Sequence, residues 1–353
     1  MTSQSHGASG RRSPDRHGVA STMPGTGRRA RASAPRANRT KLWVLATVLL
    51  LVLGGVVWGA IIYASVADQL KPTDPADREA VAEALDSTMP DGGDSGTQSE
   101  PLYILILGAD ARPGQTRARS DTILLARVDV SNQAVSMLSF PRDSRVPIEG
   151  HGLDKITHAN AFGGPALVIK TVQAYTGLPI NHYVELNFEG FVAAVDAVGG
   201  VTVDVERTIN DRNGATTGGV SDVTYIPAGV QTLNAEQALT FVRSRAYPDG
   251  DFTRIKNQQK FLIAFAKQAL STENITRLPS IAEEVAGNIT TDMTIPQLLQ
   301  LAMDMKDIEE ADVTGHTVPG STAMIGGVSY VIPAAEQADA LFRAFANGVA
   351  GEQ

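Results

Sequence analysis

The sequence predicts an α/β protein, of the α+β kind, in which helices flank a mixed central β-sheet and a single transmembrane helix precedes the folded part. Three observations lead to this prediction. From residue 101 onwards, short apolar runs alternate with amphipathic helical patterns, as expected where helices pack on a sheet. One earlier run of 23 residues contains no charged side chain. The chain of 353 residues is also long enough to bury a sizeable core.

The first 41 residues differ in charge from the rest of the chain. They carry nine Lys and Arg side chains and one aspartate, which leaves 21 positive and 37 negative side chains, a net charge of −16, for the remainder. Because they contain almost no large apolar side chains, we expect residues 1–41 to be a disordered basic tail. The acidic remainder argues against nucleic-acid binding. The absence of cysteine excludes disulfides and thiolate metal sites.

The uncharged run is Leu42–Ala64, with the sequence LWVLATVLLLVLGGVVWGAIIYA. At a rise of about 1.5 Å per residue it spans about 34 Å, enough to cross a hydrocarbon core of about 30 Å. The alternative is a cleaved signal peptide, since Ser65-Val66-Ala67 resembles a cleavage site, but the apolar region of a signal peptide is shorter. We therefore predict a transmembrane helix at 42–64. The positive flank predicts a single-pass protein of the cell membrane with a cytoplasmic N-terminus and an extracytoplasmic C-terminal domain.

Residues 65–100 are polar and rich in Pro, Gly and Asp, which predicts an extracytoplasmic stalk or linker with one short helix near Arg78–Leu85. The folded domain is predicted to begin at residue 101 with three strands. The second and third strands form a hairpin, because only Ser131-Asn132-Gln133 separates them. The three predicted strands are Tyr103–Leu107, Thr122–Val130 and Ala134–Phe140.

Helices and strands alternate after this point. Pro165, at a first helical position, predicts a helix that Gly177 ends. Asn234 and Gln237 form a capping-box pattern at the start of another helix. The remaining predicted elements are strands at His182–Leu186, Val201–Glu206 and Val328–Ile332, helices at Phe188–Val198, Pro296–Lys306 and Ala334–Ala346, a longer helix from Asp251 or Thr253, and an irregular segment with a hairpin at 207–230.

Three segments place arginines and carboxylates at the ends of elements rather than on their faces. In the first, Asp110 follows one predicted strand and Asp121 precedes the next, so the two carboxylates can converge at one edge of the sheet. Such a pair suits Mg²⁺, which also takes water and phosphate oxygens as ligands. The alternative is turn-forming aspartates with solvated arginines such as Arg112 and Arg119.

The second segment, Phe140-Pro141-Arg142-Asp143-Ser144-Arg145, also follows a strand, and its alternative is a surface turn with weak ion pairs. The third segment joins two helices. Arg243 and Arg245 end the first helix, while Arg254 and Gln258 share a face of the second. Guanidinium groups beside a helix N-terminus form an anion cradle. Alternatively, these arginines only cover the helix junction.

Together the three segments contain the parts of a site that binds phosphate or pyrophosphate through a divalent cation. The use of Arg rather than Lys fits planar, bidentate recognition of phosphate. By contrast, His158, His182 and His316 show no ligand spacing, and we expect them to be structural.

The same segments resemble a known family. The motifs of the LytR-CpsA-Psr family are similar to six runs of this chain, which follow in the order LGADARPGQTRARSDTILLARVD, SFPRDSRVPI, DKITHANAFGG, DAVGGVTVDV, LNAEQALTFVRSR and GDFTRIKNQQKFL. The resemblance covers about residues 101–270, which we predict to be the catalytic domain, and leaves 271–353 as the part that completes this domain. The tail, the transmembrane helix and the linker also resemble the layout of that family.

This resemblance implies a phosphotransferase of cell-wall assembly, which moves a glycosyl-phosphoryl group from a polyprenyl-pyrophosphate-linked glycan to peptidoglycan. Asp110 and Asp121 would hold Mg²⁺, with Mn²⁺ as an alternative. The implied catalytic positions are Arg119, Arg142, Arg243, Arg245 and Asp251. The implied pyrophosphate-binding positions are Arg142, Arg145, Lys155, Arg243, Arg245, Arg254 and Gln258. Asn257 departs from the family, which often has an arginine there.

Two other functions stay open. One is a membrane-anchored regulator of envelope genes, although a tail of 41 residues is too short for a DNA-binding fold. The other is a carrier or pyrophosphatase that binds polyprenyl pyrophosphate with the same cradle.

Overall fold

A mixed six-stranded sheet forms the centre of the protein. The structure is a computed structural model, and it describes residues 67–72, 74–86, 100–109, 118–210, 225–244, 251–274 and 277–348. All of them fall within one structural unit, residues 57–353. The predicted tail, 1–41, and the predicted transmembrane helix, 42–64, lie outside the described residues. Within the described ranges, no helix combines the length and the apolar character needed to cross a membrane.

The elements follow one another along the whole described chain. The strands are β1 Leu102–Ala109, β2 Ser120–Asp129, β3 Ala134–Ser139, β4 Arg145–Ile148, β5 Gly152–Lys155, β6 His182–Leu186, β7 Val201–Val205, β8 Ile209–Asn210, β9 Tyr225–Ile226, β10 Gly229–Leu233, β11 Ile289–Thr291, β12 Val313–Thr317, β13 Gly320–Ile325 and β14 Val328–Pro333. The α-helices are α1 Pro75–Asp86, α2 His158–Thr176, α3 Phe188–Ala197, α4 Ala235–Arg243, α5 Asp251–Ala269, α6 Leu278–Val285, α7 Ile295–Asp304 and α8 Ala335–Ala346.

The central sheet has the strand order β11-β6-β1-β2-β3-β12. β1 is parallel to β6 and β3 is parallel to β12, whereas the other neighbours are antiparallel. The C-terminal ends of β1, β3 and β6 therefore lie at the same edge of the sheet as the N-terminal end of β2. We call this edge, marked by Ala109, Ser120, Ser139 and Leu186, the upper edge.

Alternating side chains give the sheet two buried faces. Leu105 and Leu107 lie in a core that α1, α2 and α8 cover. Ile104 and Leu124 lie in a second core, on the opposite face, which α5 and α7 cover. A third core joins α3, α4, α5 and α6 to the β7–β10 pair. Helix α5 contributes to two of these cores, and it therefore connects the central sheet to the smaller β7–β10 layer.

The predicted α/β architecture with a mixed sheet is confirmed, and so are many of its elements. The three N-terminal strands and their hairpin lie at the predicted places. The capping box of α4 is complete, because Asn234 Oδ1 accepts from Gln237 N at 2.9 Å and Gln237 Oε1 accepts from Asn234 N at 3.1 Å. Helix α5 begins at Asp251, one of its two predicted starts.

Helix α2 begins earlier than its proline predicts. It starts at His158 and ends before Gly177, which has a φ of 69° and ends the helix as predicted. Gly163 and Gly164 interrupt it, and Gly164 has a φ of 66° and a ψ of −166°. Pro165 begins the regular part after this break, since proline favours the first turn of a helical segment. The turn before the two glycines has no such sequence signal.

Part of the predicted linker, 65–100, is packed into the protein. Helix α1 packs on α2, and its side chains Val81, Ala84 and Leu85 are buried in the first core. The carbonyl of Leu70 also accepts a hydrogen bond from the β11 backbone. The linker interpretation is therefore wrong for α1. The Pro, Gly and Asp residues around the helix dominate the local composition and mask its short apolar stripe.

The Leu85→Ala variant should lower the free energy of unfolding by about 2–4 kcal/mol, because it leaves a cavity in the core. Leu85 is 6% exposed. A matched control is Glu79→Ala, at an exposed position of the same helix, which should change the stability by less than about 0.5 kcal/mol. Chemical denaturation measures both values. Small and equal effects would mean that α1 behaves as a linker.

Residues after 270 contribute both edge strands of the central sheet, β11 and β12, together with the β13–β14 hairpin and α8. The sequence predicted α7, β14 and α8 in this region. It did not predict β11, β12 and β13, which have three, five and six residues. Their sequences, ITT, VTGHT and GSTAMI, are rich in Gly, Ser and Thr and contain too few large apolar side chains for a periodic pattern to be recognised.

Candidate functional site

The upper edge of the sheet brings an aspartate and an arginine from two segments into contact. Arg142 Nη1 donates to Asp121 Oδ1 at 2.7 Å. Asp121 is the second residue of β2 and Arg142 follows the end of β3, so the antiparallel hairpin itself places them side by side. The Arg142 and Asp121 side chains remain 26% and 28% exposed. A ligand from solvent can therefore reach both groups.

Asp143 holds two cations beside this pair. Its Oδ1 accepts from Lys155 Nζ at 2.7 Å, and its Oδ2 lies 3.6 Å from Arg142 Nε. Lys155 of β5 is the register partner of Arg145 of β4. Three cationic side chains thus accompany Asp121 and Asp143 at one place. The remaining positive charge favours an anionic ligand.

Tyr330 of the C-terminal hairpin packs on this group of charges. Its ring centroid lies 5.7 Å from Arg145 Cζ and 5.6 Å from Lys155 Nζ, within the range of cation–π attraction. The hairpin is attached by the Val331 amide, which donates to the carbonyl of Asp143 at 2.9 Å. No sequence pattern marks Tyr330 as a site residue, because the contact joins segments far apart in the chain.

Gln258 attaches helix α5 to the same edge. Its Nε2 donates to Thr122 Oγ1 at 3.0 Å and to the carbonyl of Val242 at 3.2 Å. Thr122 is the neighbour of Asp121, so α5 lies against the start of β2. Arg254, one turn before Gln258 and 5% exposed, shares this helix face.

Two further amides fix the same helix. Asn257 Nδ2 donates to the carbonyl of Phe241 at 3.4 Å, so the residue that departs from the expected arginine joins α5 to α4. Gln259 Nε2 donates to Ser139 Oγ at 2.9 Å and to the carbonyl of His316 at 3.0 Å. Three consecutive side chains therefore set the position of α5 against α4 and the central sheet.

Arg243 and Arg119 are close to these residues along the chain. Arg243 Cζ lies 4.0 Å from the ring centroid of Phe188, a cation–π contact between α4 and α3. Arg243 also follows Val242, whose carbonyl accepts from Gln258. Arg119 is exposed, two residues before Asp121.

Some of the predicted site residues are joined by these contacts and some are not. Contacts connect Asp121, Arg142, Asp143, Arg145, Lys155, Gln258 and Tyr330, which we call the charged cluster. Arg254 and Arg243 lie on the two helices that Gln258 joins, and Arg119 is exposed beside β2. Asp110 and Arg245 lie outside the described residues. Asp251 begins α5, but its side chain is also outside the described atoms.

Asp121 is the one predicted metal ligand within the described part of the chain. Its Oδ1 accepts from Arg142, and its Oδ2 has no hydrogen-bond partner among the described residues. A carboxylate oxygen in this situation fits a hard cation such as Mg²⁺, which commonly takes one or two carboxylates together with water and phosphate oxygens. Nowhere in the described ranges do three or more His, Asp or Glu side chains gather into a metal-binding group.

A partly buried acid lies on the α2 side of the sheet, near the upper edge. Glu185 of β6 is the register partner of Leu107 of β1, and its Oε1 accepts from Asn160 Nδ2 at 2.8 Å. Burial raises the pKa of Glu185, the hydrogen bond from Asn160 opposes this effect, and the charge of Asp77 adds to it. The sequence did not indicate this acid, because a lone glutamate in a strand is usually exposed.

The Glu185→Gln variant should be at least as stable as the wild type at neutral pH and should depend less on pH. Because folding raises the pKa of Glu185, the folded state keeps its proton to a higher pH than the unfolded chain does. The wild type therefore loses stability as the pH rises above about 4.3, whereas glutamine does not titrate. Denaturation at several pH values measures both slopes. Identical slopes would contradict a raised pKa.

The three histidines have defined surroundings. His158 Nδ1 lies 2.9 Å from Asp154 Oδ2, and His182 Nδ1 lies 2.6 Å from Asp292 Oδ2. Burial lowers the pKa of His316. Two of the rings are thus oriented by carboxylates, and burial disfavours the charged form of the third.

Comparison with known sequences assigns the chain to a family. The sequence model of the LytR_cpsA_psr family matches residues 62–347. The chain belongs to the LytR-CpsA-Psr family. The match begins before α1 and ends after α8, so both elements lie within the LytR-CpsA-Psr region of this chain.

Similar proteins include a teichoic acid transferase and two solved structures. The LytR-CpsA-Psr relative from Bacillus anthracis, called Polyisoprenyl-teichoic acid--peptidoglycan teichoic acid transferase TagU, is 33% identical over 306 residues, 84% of this chain and 93% of the relative. The crystal structure of B. subtilis TagV superposes with a TM-score of 0.62 at 29% identity and covers 72% of this chain and 100% of TagV. The structure of TagT bound to LI-WTA has a TM-score of 0.61 at 27% identity and covers 73% and 95% of the two chains.

Proposed function

We propose that this protein is a Mg²⁺-dependent phosphotransferase that attaches an anionic glycopolymer to peptidoglycan during cell-wall assembly. The donor would be the glycopolymer on a polyprenyl-pyrophosphate carrier, and the acceptor a hydroxyl group of peptidoglycan. The observation that carries the proposal is the 2.7 Å Arg142–Asp121 ion pair within the charged cluster at the upper edge. The names of relatives that transfer teichoic acid support this class of reaction.

The charged cluster suits a diphosphate because its cations are already held in place. Asp143 orients Arg142 and Lys155, and Tyr330 packs on Arg145 and Lys155. Guanidinium groups form short, paired hydrogen bonds with phosphate oxygens. Cations that do not have to reorganise stabilise developing negative charge more effectively than mobile ones.

The junction of α4 and α5 supplies further groups to the proposed site. Arg254 lies in the first turns of α5, where backbone N–H groups and the helix dipole favour anions. Arg243, Arg245 and Arg119 would add guanidinium groups to the phosphates. In the proposal Asp251 accepts the proton of the acceptor hydroxyl, a role that rests on the family resemblance.

Asp121, together with Asp110, would hold the divalent cation. When bound, Mg²⁺ or Mn²⁺ would neutralise negative charge on the diphosphate. Arg142 holds Oδ1 of Asp121, so the direction of Oδ2 is set before a ligand binds. Among the described residues, this fixed carboxylate is the observation that supports a cation site here.

The proposed reaction is a single phosphoryl transfer. The oxygen of the acceptor hydroxyl attacks the phosphorus next to the glycopolymer, the bond from this phosphorus to the bridging oxygen breaks, and polyprenyl phosphate leaves with the electron pair. The hydroxyl proton passes to Asp251. Arg142 and the neighbouring cations stabilise the charge on the phosphoryl oxygens and on the leaving group. Positioning and charge stabilisation of this kind supply most of the catalysis in phosphoryl transfer.

The location of the site is part of the same proposal. The uncharged run 42–64 would anchor the protein, with the basic tail on the cytoplasmic side and the folded domain outside the membrane. In that position the domain would reach both the polyprenyl carrier and peptidoglycan.

A transfer reaction with purified protein tests the function. The protein is incubated with Mg²⁺, a polyprenyl-pyrophosphate-linked oligosaccharide and peptidoglycan fragments, and the products are analysed by mass spectrometry. We expect a phosphodiester-linked conjugate and an equal amount of polyprenyl phosphate. Sugar phosphate without any conjugate would indicate a pyrophosphatase, and a complete absence of turnover would favour the anchored regulator.

A further inference from the structure

Three rings gather on the surface where β5 leads into α2. The His151 and Phe162 rings are stacked, with centroids 4.1 Å apart and an interplanar angle of 10°. The His158 and Phe162 rings meet at an angle of 64°, with centroids 5.9 Å apart. Phe162 nevertheless remains 40% exposed, and His151 is exposed. Part of this stacked pair is therefore in contact with solvent, and we call His151 and Phe162 the ring platform.

The local backbone and a carboxylate hold the ring platform in place. His151 lies between Gly150 and Gly152, whose φ values of 74° and 72° form a tight turn. His158 is fixed by Asp154 at 2.9 Å. Burial favours the neutral form of Asp154, but the hydrogen bonds from His158 and the Lys155 amide hold the pKa of Asp154 below its ordinary value. The third ring is therefore tied to a carboxylate.

The ring platform adjoins the charged cluster through the same short segment. Lys155 of the cluster follows Asp154, and Thr157 precedes His158. The Thr157 amide donates to the carbonyl of Arg142 at 3.2 Å, and Thr157 Oγ1 donates to the carbonyl of Ser120 at 2.8 Å. Ser120 is the neighbour of Asp121. His158 and Phe162 therefore follow, by one and five residues, the backbone at Thr157 that positions the Arg142–Asp121 pair.

The chemistry of this surface matches a sugar ring. A pyranose has an apolar face of C–H groups, which packs well on the negative face of an aromatic ring. Its hydroxyl groups lie at the rim, where imidazole nitrogens can exchange hydrogen bonds with them. A partly exposed aromatic pair beside a polar site is typical of a binding surface.

We propose that the ring platform is the subsite for a pyranose ring of the acceptor glycan, the peptidoglycan strand. This inference rests on the proposed function. A peptidoglycan strand is too large to be enclosed, so it has to lie on exposed surface beside the reacting phosphates, and the ring platform is exposed and adjoins the charged cluster. Phe162 would then fix the distance between the acceptor hydroxyl and the diphosphate.

The test measures the binding of the acceptor and the KM for the donor separately. Phe162→Ala and Phe162→Leu are compared with Tyr225→Ala, which removes an aromatic side chain that is 57% exposed on β9. Loss of one stacking contact should raise the KM for peptidoglycan fragments and their Kd in calorimetric titration by about two- to tenfold. The KM for the lipid-linked donor should stay unchanged, Phe162→Trp should retain acceptor binding, and Tyr225→Ala should match the wild type. Thermal melting of each variant confirms that it is folded.

Two results would overturn the proposal. An unchanged acceptor Kd in Phe162→Leu, which keeps an apolar side chain but loses the ring, would show that the ring platform does not bind the acceptor. A rise in the donor KM instead would show that the rings contact the carrier or the donor glycan. A failure of the proposed function is distinguishable, because the Kd of the fragments for the wild type and for Phe162→Leu can be measured even without turnover.

Discussion

Arg142→Ala should lower the kcat/KM of glycopolymer transfer by about 10²–10³-fold, the loss that follows removal of one preorganised group that stabilises developing charge. Arg142 touches Asp121 and Asp143, so its loss also leaves the Asp121 carboxylate without its cationic partner, while Asp143 keeps Lys155. Arg142→Lys should recover part of the activity, because an ammonium keeps the charge but not the paired hydrogen bonds. Initial rates with lipid-linked donor and peptidoglycan fragments measure both variants.

The control for this experiment is Arg343→Ala, which removes an exposed arginine from the last turn of α8. It should transfer at the wild-type rate. Because Arg142 is partly exposed, its substitution should leave the fold intact, and a thermal melt within a few degrees of the wild type confirms this. If Arg142→Ala is folded and fully active, the charged cluster is not the phosphate site.

Asp121→Asn should lower transfer by about 10²–10³-fold and raise the Mg²⁺ concentration needed for half-maximal activity. Asparagine keeps the shape of the side chain and its carbonyl oxygen, but it removes the negative charge that a divalent cation requires. It also removes the anionic partner at 2.7 Å from Arg142, which keeps the longer, 3.6 Å contact with Asp143, so part of the loss comes from a misplaced guanidinium. A Mg²⁺ titration of the initial rate separates the two effects, since excess metal compensates only the first.

The same strand offers a matched control at its other end. Asp129 of β2 pairs with Arg127 at 3.3 Å, far from the upper edge. Asp129→Asn should leave the Mg²⁺ dependence of transfer unchanged. Equal Mg²⁺ titrations for Asp121→Asn and the wild type would exclude Asp121 as a metal ligand.

The sequence predicted most accurately the elements that depend on neighbouring residues. The capping box of Asn234 and Gln237 and the hairpin around Ser131–Gln133 are set by side chains only a few positions apart. The buried side of α1 was missed because three apolar residues within a polar segment do not form a clear stripe. Edge strands such as β11 exist only because β6 offers them a partner, and no local pattern records that.

In the charged cluster, too, the sequence predicted the residues that neighbouring segments bring together and missed the residue that a distant segment supplies. Asp121 lies at the start of one strand of a hairpin and Arg142 follows the end of the other strand, so local pairing alone brings them together. The arginine-rich motifs had pointed to both residues. Tyr330 and Glu185 depend on contacts with Arg145 and Asn160, which lie in other segments of the chain. A sequence without contact information cannot reveal such groups, since a tyrosine or a glutamate in a strand is ordinary.

The most direct test of the account locates the cation and the diphosphate together. Crystals of the protein with Mn²⁺ and a short-chain polyprenyl-pyrophosphate glycan can be measured by anomalous scattering at the manganese edge. We expect one Mn²⁺ on the carboxylate of Asp121, with the diphosphate oxygens on Arg142 and Arg254. Manganese and diphosphate bound at another surface, with the Arg142–Asp121 pair untouched, would contradict it.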